Sequence, residues 1–267
     1  MRLFTPLRPS PEAPLARANP VAKLGAAALL MLVLFFSVDP LTPALVLAGL
    51  VAALPFTGLA PGALLARTWP ILLAATSVGI LNAVFAAEQG GEIVVRIGPL
   101  AVGSQNLVAG LGLGMRLLGI AFSGVLALVT TDPTDLADAL VQQLRLPARF
   151  AVGALAAVRL LPILAAEWQI LSLARRARGV SAGRSPLAAV QIFFGQLLSL
   201  LVAAVRRGTR LATAMESRGF GALPCRSVAR PQRMAQADWL LLGLAGGLGL
   251  AAVAVSLLTG AWRFLFS

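Results

Sequence analysis

Long apolar runs, separated by short polar or proline-bearing stretches, set the rhythm of this chain. Val21–Val38 is the first run, and Pro40 and Pro43 mark a tight turn into the second, Leu41–Leu59. Pro61 and Gly62 break the chain again, and Arg67 precedes a third run, Thr68–Ala87. A fourth follows at Asn106–Thr130 and another near the end at Trp239–Leu258. A helix needs about 20 mostly apolar residues to cross a bilayer, so these five read as transmembrane helices. The apolar positions are continuous rather than alternating, which excludes a membrane β-barrel. Between the third and fourth runs, Glu88–Gln105 carries glycines around "EIVVRI" and "PLAV" and reads as a small hairpin or loop outside the membrane.

The segment "TTDPTDLADALVQQL" after the fourth run has a different period. Asp132 before Pro133, with Thr134 and Asp135 in the first turn, is a helix start. Leu136, Ala139, Leu140 and Leu144 share one face while Asp135, Asp138 and Gln142 lie elsewhere, as in an amphipathic helix. Two more apolar stretches follow, Phe150–Ala166 and Leu187–Val205, and hydropathy alone would make spans of both.

Charge changes that picture. Arg145 to Arg233 contains fourteen arginines and only two acids, Glu167 and Glu216, a surplus equal to the +12 of the whole chain. If both stretches crossed the bilayer, Arg175, Arg176, Arg178 and Arg184 would face outward, against the preference of positive residues for the cytoplasmic side. A mid-span Arg159 would add roughly 2.5–3.5 kcal/mol of insertion cost. The expected organisation is therefore an all-α polytopic membrane protein with about five transmembrane helices plus a cytoplasmic module of helices. Residues 1–20 form a cytoplasmic N-terminal segment, 21–131 a four-helix membrane region, 132–236 the cytoplasmic module and 237–267 the last span. Arg2, Arg8, Arg17 and Lys23 precede the first run across a long segment with several prolines. That reads as a membrane anchor with a cytoplasmic N-terminus rather than a signal peptide.

Composition agrees with the membrane class and removes several chemistries. Hydrophobic residues make up 58% of the chain and charged residues 12%, against about 25% charged in soluble domains. With no histidine and one cysteine, Cys225, histidine-based catalysis, zinc sites and internal disulfides are excluded. The one lysine, Lys23, does not follow a glycine, so there is no phosphate-binding P-loop. "GLGLGMRLLG", Gly110–Gly119, offers small-xxx-small spacing for close helix packing and does not follow a strand as a nucleotide loop would. Arg116 within it is an intramembrane charge that either serves function, snorkels or faces a partner. Asp132, Asp135 and Asp138 could form a metal site, but a helix's first turn explains them more simply.

Two short motifs remain. "LARRARGV", 173–180, and "AMESRGF", 214–220, each end an apolar helix on Arg-Gly. Glycine at a helix C-terminus is an ordinary cap and arginine there suits the helix dipole. Two arginine tips on one apolar module also suit docking, because guanidinium groups bind carboxylates in bidentate fashion. Attraction to anionic lipid headgroups accounts for most of Arg145, Arg149, Arg184, Arg226, Arg230 and Arg233. Glu167 could be a packing or pairing partner, and Glu216 could pair with Arg210 or a neighbouring helix.

These residues resemble the paired Ala-Arg-Gly signatures of the T component (EcfT) of energy-coupling-factor importers, a family that includes transmembrane components of cobalt and biotin uptake systems. The order of elements matches too, from about Asn19 onward. The first motif fits at Ala177, Arg178 and Gly179. The second has Ser217 where alanine is usual, followed by Arg218 and Gly219. The resemblance implies a non-catalytic membrane subunit without cofactor or metal, set in a bacterial cell membrane. Its expected partners are two P-loop ATPase subunits and a small membrane-embedded S component, with anionic lipids at the cytoplasmic face and no nucleic acid. Ala177, Arg178, Gly179, Ser217, Arg218 and Gly219 would dock the ATPases, supported by Arg175, Arg176 and Glu216. The S component would carry the specificity for a vitamin or transition-metal ion. An intramembrane protease or lipid-modifying enzyme, or a stand-alone secondary transporter, is the competing class.

Overall fold

The computed structural model describes residues 12–85, 93–97, 100–180, 183, 185–221, 228 and 230–260. Cys225, Arg184 and Arg226 lie outside them. Contacts divide the chain into two compact units, one of Met1–Ala139 with Gln232–Ser267 and one of Leu140–Pro231.

The first unit is a helical bundle. A single turn, α1 (Pro14–Arg17), precedes α2 (Pro20–Phe36). Asn19 begins α2 by accepting a hydrogen bond from Val21 N at 2.9 Å, and Pro20 sits where its missing N–H costs nothing. The turn at Asp39–Pro40 leads into α3 (Leu41–Ala53), which tightens into a 3₁₀ turn, Leu54–Thr57. Next comes α4 (Pro61–Phe85). Its start corrects the sequence expectation: Pro61 and Gly62 open the helix rather than merely breaking the chain, so Arg67 lies inside α4 and not before it. Proline at a first helical position is compatible with helix, and a single turn of composition gives little warning of this.

Strands β1 (Ile93–Ile97) and β2 (Leu100–Gly103) pair antiparallel with Ile97 opposite Leu100, the hairpin expected from the glycine punctuation. Helices α5 (Ser104–Val129) and α9 (Gln236–Leu258) complete the bundle. The core runs through Leu30, Leu34, Val46, Leu50, Leu126 and Ala252 of α2, α3, α5 and α9. Where α4 meets α5 there is almost no side chain. A Cβ placed on Gly79 would come 2.8 Å from the Gly110 carbonyl oxygen, and one on Gly114 would come 3.3 Å from that of Ala75. The glycine spacing of the fourth run is thus a close-packing face, as read from the sequence.

Arg116 finds its partner within the bundle. Its guanidinium donates to the carbonyl of Phe35 in the last turn of α2 and lies 5.7 Å from the Phe35 ring centre. It caps a helix C-terminus, where the dipole favours a cation. At the same turn Asp39, 2% exposed, accepts from Thr42 N and Oγ1 at 2.8 Å, from Ser256 Oγ at 2.6 Å and from Ser37 Oγ. This carboxylate ties α2, α3 and α9 together.

Helix α6 (Pro133–Gln142) begins at the Thr-Asp-Pro signal, with Asp132 Oδ1 accepting from Thr134 N at 2.7 Å. Ala137 and Ala139 are its buried residues. The helix stops at Gln142, so Leu144 falls beyond it and is exposed, contrary to the expected apolar face. Arg145 with φ 53° and the bond from Leu146 N to Leu140 O turn the chain away there.

The second unit is built on α7 (Ala148–Ala177) and α8 (Pro186–Ser217). Among the described residues, five helices have the length and apolarity to span a membrane: α4, α5, α7, α8 and α9. Helices α2 and α3 are apolar but shorter. Length therefore selects a different five from those that charge selected. The apolar windows of α7 and α8 are only 6% buried within the chain, against 22–33% for the other three.

Candidate docking site

The two Arg-Gly motifs form the same structure twice. At the end of α7, Gly179 adopts φ +76°; its N–H donates to the Arg176 carbonyl and that of Val180 to the Arg175 carbonyl, both at 3.0 Å. At the end of α8, Gly219 also has φ +76°, with Gly219 N bonded to Glu216 O at 2.9 Å and Phe220 N to Met215 O at 3.0 Å. Both are Schellman closures, in which the left-handed residue after the cap lets two amides reach back to the last carbonyls. Glycine is needed at that φ, since a side chain there crowds the following carbonyl.

This closure puts one arginine at the last position of each helix. Arg178 and Arg218 are both exposed, and among the described residues their side chains make no hydrogen bond or ion pair. Arg176, Ala177, Gly179, Ser217 and Gly219 are exposed around them. Ser217, the departure from the usual alanine, donates its hydroxyl to the Ala214 carbonyl at 3.1 Å. Its polarity is spent on its own helix, and it presents a small surface as alanine would. Glu216 is exposed and pairs with neither Arg210 nor any other described base.

Arg175 behaves differently from its neighbours. It is half-buried and donates from Nη1 to the Ile192 carbonyl at 3.0 Å, bracing the end of α7 against the start of α8. Further along, Gln196 Nε2 donates to the Trp168 carbonyl at 2.8 Å, Trp168 meets Phe193 edge-on at 5.4 Å, and Glu167 pairs with Arg207 at 2.9 Å. The first half of α7 and the last turns of α8 then share a groove of about 530 Å³ that includes Gly153, Ala157, Gly208 and Met215. The helices thus run antiparallel. Their C-terminal tips lie at opposite ends of the pair, separated on the order of 40 Å by the rise of 1.5 Å per residue along α8.

The faces between the tips are apolar and open. Phe194, Leu197, Leu198, Leu201 and Val205 on α8 and Phe150, Leu161 and Ile163 on α7 are exposed. A surface of this size is covered in the functioning molecule. Among the described residues no group of three His, Cys, Asp or Glu side chains is placed to hold a metal ion, and Asp132 is occupied as the start of α6.

The two tips are legible in the sequence, whereas the burial of three polar residues of the bundle, Lys23, Asp39 and Asp238, is not. A signal existed for two of them. Lys23 is the single lysine among arginines, and Asp39 sits alone before a proline between two apolar runs.

Comparison with known proteins places these features in context. The family CbiQ, cobalt transport protein, matches residues 11–227. The energy-coupling factor transporter transmembrane protein EcfT of Thermanaerovibrio acidaminovorans is 32% identical over 184 residues, covering 66% of this chain and 67% of the relative. The EcfT proteins of Bacillus selenitireducens and Staphylococcus aureus are 29% and 26% identical, each covering 76% of this chain and 78% of the relative.

Proposed function

Because the chain belongs to the CbiQ cobalt transport protein family, the transmembrane T components of energy-coupling-factor transporters, we propose that it is the non-catalytic coupling subunit of an ATP-driven importer. In this reading it joins two P-loop ATPases to a small membrane-embedded S component that takes up a vitamin or a transition-metal ion. The observation that carries the proposal is the pair of like helix ends, each displaying an uncommitted arginine directly before its left-handed glycine, at opposite ends of an antiparallel pair. Two separated tips of the same chemistry suit two copies of a similar partner better than one small ligand. Each guanidinium would enter a carboxylate-bearing groove on one ATPase, with the Schellman turn fixing its direction. Arg176 and Glu216 flank the tips, and Arg175 holds the first tip against α8.

The exposed apolar faces of α7 and α8 would receive the S component, which explains why so little of them is buried within the chain. The surplus of arginine over Leu140–Pro231 supports a cytoplasmic position for this unit and an N-terminus inside the cell membrane. Arg145, Arg149 and Arg233 would meet anionic lipid headgroups, each worth about 1 kcal/mol near such a surface.

The test is a mild-detergent purification of the tagged chain from its own membrane, followed by mass spectrometry. Two ATPase subunits and a small hydrophobic protein should accompany it. The double variant Arg178→Ala, Arg218→Ala should remain in the membrane and lose the ATPases, since removing one partner of a buried interfacial charge pair costs about 2–5 kcal/mol. Retention of both ATPases by the double variant would refute the assignment of the tips.

A further inference from the structure

The bundle contains a charged node that the docking surfaces do not use. Lys23, in the first turn of α2, is 4% exposed. Its Nζ donates to the carbonyl of Thr130 at 2.7 Å and to that of Ala16 at 3.0 Å. Thr130 is the residue that closes α5, so the ammonium binds a helix-end carbonyl that the helix itself leaves without a partner. Asp135, in the first turn of α6, and Asp238, in the first turn of α9, line the same cavity as Lys23. Asp238 in turn accepts from Asn19 N at 2.7 Å and Ala235 N at 2.8 Å. The ammonium therefore ties the start of α2 to α1 and to the end of α5, and Asp238 ties Asn19, just before α2, to the start of α9.

The position of this node in the chain gives it meaning. The bundle connects to Leu140–Pro231 through two covalent links, one after Ala139 and one before Gln232. The first leaves through α6, whose start is the elbow Thr131–Pro133, directly after the Thr130 carbonyl that Lys23 holds. The second enters through Arg233 to Asp238, held by the Asp238 carboxylate and by Asn19 Nδ2 on the Arg233 carbonyl at 3.5 Å. Both links are thus anchored within the same cluster. A compact ammonium directs separate N–H bonds at the two carbonyls, whereas a guanidinium spreads its donors over a rigid planar fork of different geometry.

We propose that Lys23 is a positioning residue: it fixes the α5–α6 elbow so that movement arising in Leu140–Pro231 is delivered to α2 and α9 rather than absorbed by bending at residues 131–133. This rests on the coupling reading given above.

Hydrogen exchange followed by mass spectrometry tests it on the purified full chain. The Leu136 amide, bonded to the Asp132 carbonyl at 2.9 Å, reports the elbow. In Lys23→Met and in Lys23→Arg, peptides covering 130–137 should exchange at least about tenfold faster, as expected from losing a charge-assisted hydrogen bond. The α4–α5 crossing should exchange as in the wild type. No acceleration in Lys23→Met, or equal loosening of the whole bundle, overturns the clamp. Wild-type behaviour of Lys23→Arg shows that charge alone suffices and overturns its geometry.

The second arm uses the chain with its co-purified ATPases, trapped with ATP and vanadate. In the wild type, trapping should alter exchange in α2 and α9; in the lysine variants the change should stop within 140–231. An unaltered response in Lys23→Met refutes the transmission role. If no ATPase accompanies the wild-type chain, the coupling reading fails, while the first arm still decides whether Lys23 holds the elbow.

Discussion

Replacing Gly110 by alanine should destabilise the bundle more than the small size of the change suggests. A Cβ at this position overlaps the carbonyl oxygen of Gly79, lies 2.7 Å from the Ala83 Cβ and 3.0 Å from the Ala83 amide nitrogen. Two of these three neighbours are backbone and the third is a methyl with no rotamer. Relief can come only from moving α4 and α5 apart. Separation by 0.5–1 Å forfeits about a quarter to a half of each van der Waals contact it opens, and overpacking of this kind costs about 1–3 kcal/mol. Opposing this, alanine in a helix gains about 0.5–1 kcal/mol over glycine. The overlap should win at Gly110. At Gly114 the nearest atom is the Ala75 carbonyl oxygen at 3.3 Å, so the two effects should nearly cancel. At Gly246, with nothing within 4 Å, only the propensity gain remains. The assay is thermal unfolding of the purified chain in mild detergent, followed by circular dichroism. For a chain of this size each kcal/mol moves Tm by about 2–4 °C, so Gly110→Ala should lower Tm by several degrees while Gly246→Ala leaves or raises it. Equal melting of all three variants would refute the argument that backbone contact, rather than generic small size, governs this crossing.

Other expectations follow from the same geometry. Arg178→Ala and Arg218→Ala should weaken ATPase retention additively, because sites more than about 10 Å apart seldom couple; a strongly non-additive pair in a binding titration would contradict two separate docking points. Gly179→Ala and Gly219→Ala meet no neighbour yet must hold φ +76°, so each should fray its helix end at a cost of about 1–2 kcal/mol, seen as faster amide exchange at 180 and 220 respectively. Burial alone would raise the Asp39 carboxyl's pKa, but the bonds from Ser256, Ser37 and Thr42 outweigh it and hold it below the ordinary 3.8. Its stabilising contribution is therefore present above about pH 4 and lost as pH falls through the lowered value. Asp39→Asn should melt lower at pH 7 by about 1–3 kcal/mol and lose that part of the acid dependence; an unchanged acid profile would contradict the clamp. In a Cys225→Ser background, a cysteine at Ser181 should react with a membrane-impermeant maleimide only in inside-out vesicles if α7 and α8 stay cytoplasmic; labelling in intact cells would show that α7 crosses.

The sequence by itself determined the elements and the local chemistry. Continuous apolar runs dictated helices, Asp132-Pro133 dictated where α6 begins, and glycine after Arg178 and Arg218 dictated two helix ends that only a left-handed residue can close. The spacing of Gly110 and Gly114 foretold a backbone contact, because a surface without side chains is useful only against another such surface. All of these depend on neighbours a few residues away, and short-range order is written directly in the chain. Tertiary structure decided the partners. Lys23 reads locally as one more positive residue before an apolar run, yet it closes α5 through a carbonyl 107 residues later. Arg116 reads as an unpaired intramembrane charge and is satisfied by Phe35. Asp39 gains its last bond from Ser256, 217 residues away. The antiparallel order of α7 and α8, which sends their two arginines to opposite ends, likewise comes from Arg175, Gln196 and Glu167 meeting across the pair. A buried charge takes whichever donor or carbonyl the folded backbone brings within 3 Å, and no periodicity in the sequence encodes that choice.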